Sequence, residues 1–294
     1  MVVVALLALA APAWADFNRT ALLIDTPTAD VMPAGALAIA PIVTFPLFQT
    51  PRNPGWEGGA SLRIAPIDRL EVAVTAYTLK DYVVGATYQL ITGRGERVSL
   101  INLIAPWWRG SGRLSFEEAG HTSLAVGVYD VGIHKYVSPI GHDTVAWPDW
   151  QYHTRDGKYI RPMENFSAFV VTSIPITGLA RISIGLGRGR FVGYDGINDY
   201  LNTDVFFKDY HQWAIGLFGG LELYLTPEVA LCAEGDGRDA NVGIKGFFGP
   251  VSVLVALNKI EGLRPHGEER FGRLAVDVSW QIDNLLRPRT AEPR

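Results

Sequence analysis

Side chains alternate apolar with polar or small, residue by residue, through most of this chain. A period of two is the mark of a half-buried β-strand and is incompatible with an amphipathic helix, whose apolar positions recur every three to four residues. Between 228 and 234, Glu228, Ala230, Cys232 and Glu234 fall on one face, and Val229, Leu231 and Ala233 on the other. Downstream, Ser252, Ala256 and Asn258 oppose Val251, Val253, Val255 and Leu257. The last such segment sets Arg273, Ala275, Asp277, Ser279 and Gln281 against Leu274, Val276, Val278 and Trp280. Arg69, Glu71, Ala73 and Thr75 oppose Leu70, Val72 and Val74 in the same way. After the first fifteen residues, no apolar run reaches the roughly 18 residues that a membrane-spanning helix needs.

Connections follow a rhythm of their own. Tight turns at 65–68, 226–227 and 248–250 carry proline, which fixes φ and removes a donor. Longer polar stretches lie at 48–56, 107–121, 137–165, 188–211 and 260–270. Short turns at one end and long loops at the other predict an all-β fold: a single transmembrane, antiparallel, up-and-down β-barrel of about 12–14 strands. Strands are expected near 35–47, 57–65, 69–79, 81–91, 97–105, 121–136, 166–175, 179–188, 213–225, 228–235, 239–248, 250–259 and 271–281. A bacterial barrel has an even number of strands, so one segment between 97 and 165 is miscounted. Counting back from the clearer C-terminal hairpins puts 137–165 at the long-loop end, outside the cell; counting forward puts it inside.

A soluble β-sandwich alternates too, with its polar face in water. Against it stand glycines inside the strands, among them Gly85, Gly127, Gly185, Gly187, Gly216 and Gly243, and an apolar face that persists from strand to strand. In a barrel the other face points inward. Arg63, Glu71, Arg181, Glu222, Glu234, Lys245, Arg273 and Asp277 would then line the lumen, a mixture of signs that implies salt-bridged filling or a weakly selective passage. Aromatic residues near strand ends, including Phe45, Trp56, Tyr224, Phe247 and Trp280, are candidates for the girdles at the two headgroup levels.

The opening MVVVALLALAAPAWA has an apolar core and small residues at Ala13 and Ala15, the pattern of a secretory signal peptide over 1–15, although it lacks a positive n-region. Cleavage before Asp16 leaves a barrel over 16–286 and a charged tail over 287–294, with the outer membrane as the expected location. The 26 basic and 30 acidic residues give a net charge of −4, which offers a nucleic acid nothing to bind. One cysteine, Cys232, excludes a disulfide framework and any multi-cysteine metal site.

Evidence for chemistry is thin. Serine–histidine pairings such as Ser115 or Ser123 with His121, or Ser138 with His134 and His142, are no more than chance delivers, and there is no Gly-x-Ser-x-Gly elbow. His142, Asp143, Asp149, His153 and Asp156 share one long loop without the fixed spacing of a metal site. Gly185–Arg190 is glycine-rich but lacks a P-loop lysine. No catalytic residue, metal or cofactor is therefore expected. Binding is the better prospect: Trp147, Trp150, Tyr152 and Tyr159 stand among polar side chains in the loop 137–165, where rings can stack on sugars or pack on each other and plug the mouth.

Residues Leu22 to Gly35, LLIDTPTADVMPAG, lead directly into an alternating strand, and Leu225–Leu231 runs into Ala233–Asp239 and Asn241-Val242-Gly243. Both stretches resemble YjbH-like proteins, exported outer-membrane β-barrels associated with exopolysaccharide production. The resemblance implies a non-enzymatic barrel serving polysaccharide production or export, in contact with outer-membrane lipid and with polysaccharide or envelope assembly proteins. It brings no functional residue. The alternatives are a general small-solute outer-membrane channel, a barrel-embedded enzyme and a soluble periplasmic binding sandwich.

Overall fold

The computed structural model describes residues 22–48, 56–78, 81–92, 121–133, 167–176, 179–192, 203–206, 214–237, 239–263, 272–283 and 285. Its strands are β1 (Leu37–Pro46), β2 (Glu57–Ile67), β3 (Leu70–Thr78), β4 (Asp81–Ile91), β5 (Ser123–Ile133), β6 (Ser167–Ile176), β7 (Ala180–Gly187), β8 (Asp204–Phe206), β9 (Ile215–Thr226), β10 (Val229–Gly235), β11 (Ala240–Phe248), β12 (Val251–Asn258) and β13 (Arg273–Ile282). All except β8 form a closed antiparallel ring of 12 strands. Closure comes from β13 pairing with β1, where Val43 faces Val276 and Ile39 faces Trp280. Such a ring leaves no edge and satisfies its backbone within itself, the condition for crossing lipid with strands. The short β8 adds to β9 beside Gly216.

Twelve of the thirteen expected strands are these ring strands; the one expected at 97–105 lies outside the described residues. The parity problem resolves accordingly. β4 and β5 are neighbours in the ring, so 92–122 is one connection at the short-turn end. The connections 134–166, 188–214 and 259–272 then share the opposite end, as counting from the C-terminus requires. Two-residue turns at 68–69, 227–228 and 249–250 close three of the hairpins at the short end. In one, Gly249 adopts φ +60° before Pro250, bringing Phe248 opposite Val251, with glycine at the first central position of a hairpin turn. In another, Arg69 takes φ +69° between Asp68 and Leu70, a left-handed conformation that costs a non-glycine residue roughly 1 kcal/mol.

Outward positions are apolar around the ring, with Ile39, Ile184, Ile244 and Val255 all exposed. Thr172, a polar residue on this face, donates its hydroxyl to the Ser123 carbonyl at 3.0 Å. Phe45, Trp56, Tyr82 and Phe206 are exposed at the long-loop end, and Tyr88 and Trp280 at the short-turn end, the two levels where aromatic rings gain from both phases. Tyr224 and Phe247 do not belong with them. Both are buried on the interior face, packed on Ala230. They sit at strand ends but share parity with Glu222 and Lys245, and parity decides the face.

Candidate functional site: the barrel interior

The wall begins at Leu37, and the fifteen or so residues before it run inside the barrel rather than along it. Leu23, Thr26, Thr28, Ala29 and Met32 are each at most 2% exposed. Most of this segment runs without a strand partner, bonding the Ala65 backbone of β2 only at Gly35 and Ala36, and several of its other backbone groups are satisfied by side chains that the wall projects inward. Ala29 donates its N–H to Ser173 Oγ at 2.9 Å and accepts from Gln89 Nε2 at 2.8 Å. Met32 N–H donates to Glu71 Oε2 at 3.1 Å.

Two ionic centres hold the segment. On β10, Glu234 accepts from Ile24 N, Asp25 N, Thr26 N and Thr26 Oγ1, and from Asn241 Nδ2 of the neighbouring strand, all between 2.8 and 3.1 Å. On β7, Arg181 pairs with Asp30 of the segment and with Glu222 of β9, the latter at 2.5 Å. Glu222 accepts in turn from Lys245 Nζ at 2.9 Å and Tyr224 OH at 2.9 Å, and Lys245 also donates to the Leu22 carbonyl at 2.8 Å. Asp30 accepts a further bond from Ser123 Oγ, and Asp25 pairs with Arg190 at 2.7 Å. Buried charges persist only when paired and hydrogen-bonded, and here most of those contacts involve the segment. Ser123 is thus committed to Asp30, while His121 is exposed to solvent; they form no nucleophile–base pair.

The interior is lopsided. Over β5–β9, Phe191 stacks on Phe218 at 4.2 Å between centroids, Phe169 meets both edge-on, and Tyr129 packs on Phe169 at 4.9 Å. Glycines make room for them: a Cβ at Gly185 would overlap the Phe218 ring, and one at Gly127 the Phe169 ring. Over β1–β3 and β12–β13 many of the inward residues are small, among them Ala40, Ser61, Ala73, Ser252 and Ser279, and among the described residues of these strands no aromatic ring fills the space beside Arg63, Glu71 and Asp277. There a cavity of about 120 Å³ remains between wall and segment.

All eight ionisable residues singled out from the sequence lie on the interior side of the wall. Glu71, Arg181, Lys245 and Glu234 touch the N-terminal segment directly, and Glu222 joins Arg181 to Lys245. Arg63 and Asp277 face the cavity, with Arg63 donating to Ser279 Oγ at 3.2 Å. Arg273 lies nearer the long-loop end and donates to Thr44 Oγ1 at 2.9 Å. Asp25 and Asp30, the segment's own contributions, carry no periodic signal. The aromatic loop with Trp147, Trp150, Tyr152 and Tyr159, the histidine and aspartate group at 142–156, the leader at 1–15 and the tail at 287–294 lie outside the described residues.

A closed ring with an apolar exterior, aromatic residues at both rims and a polar interior defines a membrane β-barrel of the outer-membrane type. Among solved structures, the chain is similar to the CymD monoaromatic hydrocarbon channel (12% identity, 92% of this chain and 94% of that one, TM-score 0.40). It is also similar to the toluene transporter TbuX of Ralstonia pickettii (8%, 85% and 90%, TM-score 0.36) and to the outer membrane channel DcaP of Acinetobacter baumannii (8%, 84% and 98%, TM-score 0.33). Similarity at this level carries neither substrate nor mechanism to this chain. No protein-family model and no curated protein matches it.

Proposed function

We propose that this protein is a non-enzymatic small-solute channel of the outer membrane whose lumen is held shut by its own residues 22–36. One observation carries the reading: the segment is fastened across the lumen by hydrogen bonds and ion pairs, and beside it the wall recedes to small residues around a cavity. Contacts of this kind exchange with water when the segment moves, whereas an apolar plug would resist hydration. Liposome swelling tests it. Vesicles carrying the Glu234→Ala protein should admit small neutral solutes several-fold faster than vesicles carrying the unaltered protein. Equal, negligible rates from two folded barrels would reject the channel.

The YjbH-like reading, a role in exopolysaccharide production or export, is the second. It is favoured by one feature: the two stretches that carry the resemblance meet inside the barrel, where Glu234 of the second binds residues 24–26 of the first. Under this reading the partners are polysaccharide or envelope assembly proteins. Deleting the gene should then reduce secreted polysaccharide, and restoring the chain in trans should bring it back.

A further inference from the structure

The cavity between wall and segment carries a specific chemical demand. Asp277 projects into it from β13 without a hydrogen bond to any described residue; its Oδ1 atom is closed off from solvent, so Oδ2 is the oxygen open to a molecule in the cavity. The other charges there are engaged: Arg190 with Asp25, Lys245 with Glu222 and the Leu22 carbonyl, and Glu71 with Met32 N–H. Arg63 is held by Ser279, and its pair with Glu71 is long at 3.9 Å, which leaves its guanidinium facing the cavity beside Asp277. A carboxylate that lines a largely desolvated cavity without a donor is destabilised, and a ligand that supplies the donor offsets that cost.

The rest of the lining limits the ligand further. Ile24, Ile42, Val83, Leu254 and Tyr129 give the cavity an apolar body. Its volume of about 120 Å³ is close to that of an interior cavity of roughly 150 Å³ that takes one benzene molecule. Three basic residues (Arg63, Arg190, Lys245) face three acidic ones (Asp25, Glu71, Asp277) across it. A charged ligand would add an uncompensated charge to this balanced, desolvated set.

The geometry points to a binding site for a neutral, one-ring solute bearing a hydroxyl group, which donates to Asp277 Oδ2 and accepts from Arg63 while its ring rests on the apolar lining. This deepens the channel reading and rests on it, by naming the class of solute held on the way through.

Calorimetric titration of the full-length folded protein in detergent tests it, with cyclohexanol as the probe. Cyclohexanone (an acceptor without a donor) and cyclohexanecarboxylate serve for comparison, each corrected for partition into empty micelles. Cyclohexanol should bind at one site, at least tenfold more tightly than either comparison compound. Asp277→Ala should erase that preference, lowering cyclohexanol affinity about tenfold and leaving cyclohexanone unchanged. Ala73→Leu, which fills the cavity at a different wall position, should weaken both, and a heat-dependent gel shift verifies that each barrel is folded. Equal binding of cyclohexanol and cyclohexanone, or no binding by the folded unaltered protein, overturns the site. Swelling assays on the same samples separate the two readings: flux without binding leaves the channel and removes the site, while binding without flux in any variant leaves the site and removes the channel.

Discussion

Thr26 and Glu234, 208 residues apart in sequence, meet inside the barrel, where Thr26 donates both its backbone N–H (3.1 Å) and its hydroxyl (2.8 Å) to one carboxylate oxygen of Glu234. With Ile24, Asp25 and Asn241 also donating to that carboxylate, one side chain organises the turn of an entire internal segment.

Glu234→Ala removes a shared acceptor and leaves buried donors behind. It should lower the stability of the folded barrel by about 2–4 kcal/mol, from the roughly 1–3 kcal/mol that each unsatisfied buried donor costs, reduced where water enters. Urea titration in detergent measures the loss. Limited proteolysis of residues 22–36 should accelerate in parallel, and an unchanged digestion rate would show that Glu234 does not fasten the segment.

The lipid face is tested by charge. Val255 is 43% exposed at mid-strand, opposite Val276, and Val255→Arg should destabilise the barrel by about 2–4 kcal/mol, as for a cation near the bilayer midplane. Ser252→Arg, directed into the cavity, should cost less. Ala275 also faces inward but packs against Ile24 and Cys232, so arginine there collides with the segment and is not mild. Equal costs at Val255 and Ser252 would mean a register shifted by one residue, which exchanges the two faces.

At Gly185 the constraint is the Phe218 ring, which a methyl group would overlap; at Gly235 the nearest atom to a new Cβ is 4.0 Å away. Gly185→Ala should therefore destabilise by roughly 1–3 kcal/mol, as overpacking does, and Gly235→Ala by under about 0.5 kcal/mol. Parallel unfolding curves for the two variants decide the matter, and equal midpoints would refute the ring-on-glycine packing.

Beyond the end of β12, burial and the neighbouring Asp239 carboxylate push the Glu261 carboxyl up from 4.5 to about 7, against the opposing bond from Ala240 N–H. A carboxyl raised in the folded state binds its proton more tightly there than when unfolded. Its contribution to stability is thus fully present below about pH 4.5 and is lost as pH rises through about 7. The fall in stability over this window should shrink in Glu261→Gln. A pH profile identical in the two proteins would contradict the assignment.

The wall was legible because every ring strand has one face in lipid and one on the interior, which writes a period of two into the sequence at each turn of the ring. The same parity separates Val255 from Ser252, and applied strictly it would have placed Tyr224 and Phe247 inside. Residues 22–36 wrote no such pattern. Their burial depends on wall side chains from 39 residues away (Met32 to Glu71) to 223 away (Leu22 to Lys245), and no local periodicity records a contact of that span. The one hint was on the wall itself, where Glu234 sits on an inward face between Ala233 and Gly235 and faces Asn241, not a cation, across its hairpin. The strand expected at 97–105 lies outside the described residues, and because β4 pairs directly with β5 it supplies none of the ring.

Single-channel recording in planar bilayers bears most directly on the closed lumen. The unaltered protein should insert and remain silent or open only briefly, whereas a chain from which residues 22–35 have been excised, folded as judged by its heat-dependent gel shift, should conduct steadily. Steady conductance of equal size in both proteins would show that the segment does not occlude the lumen, and silence in both would show that the barrel is not a channel.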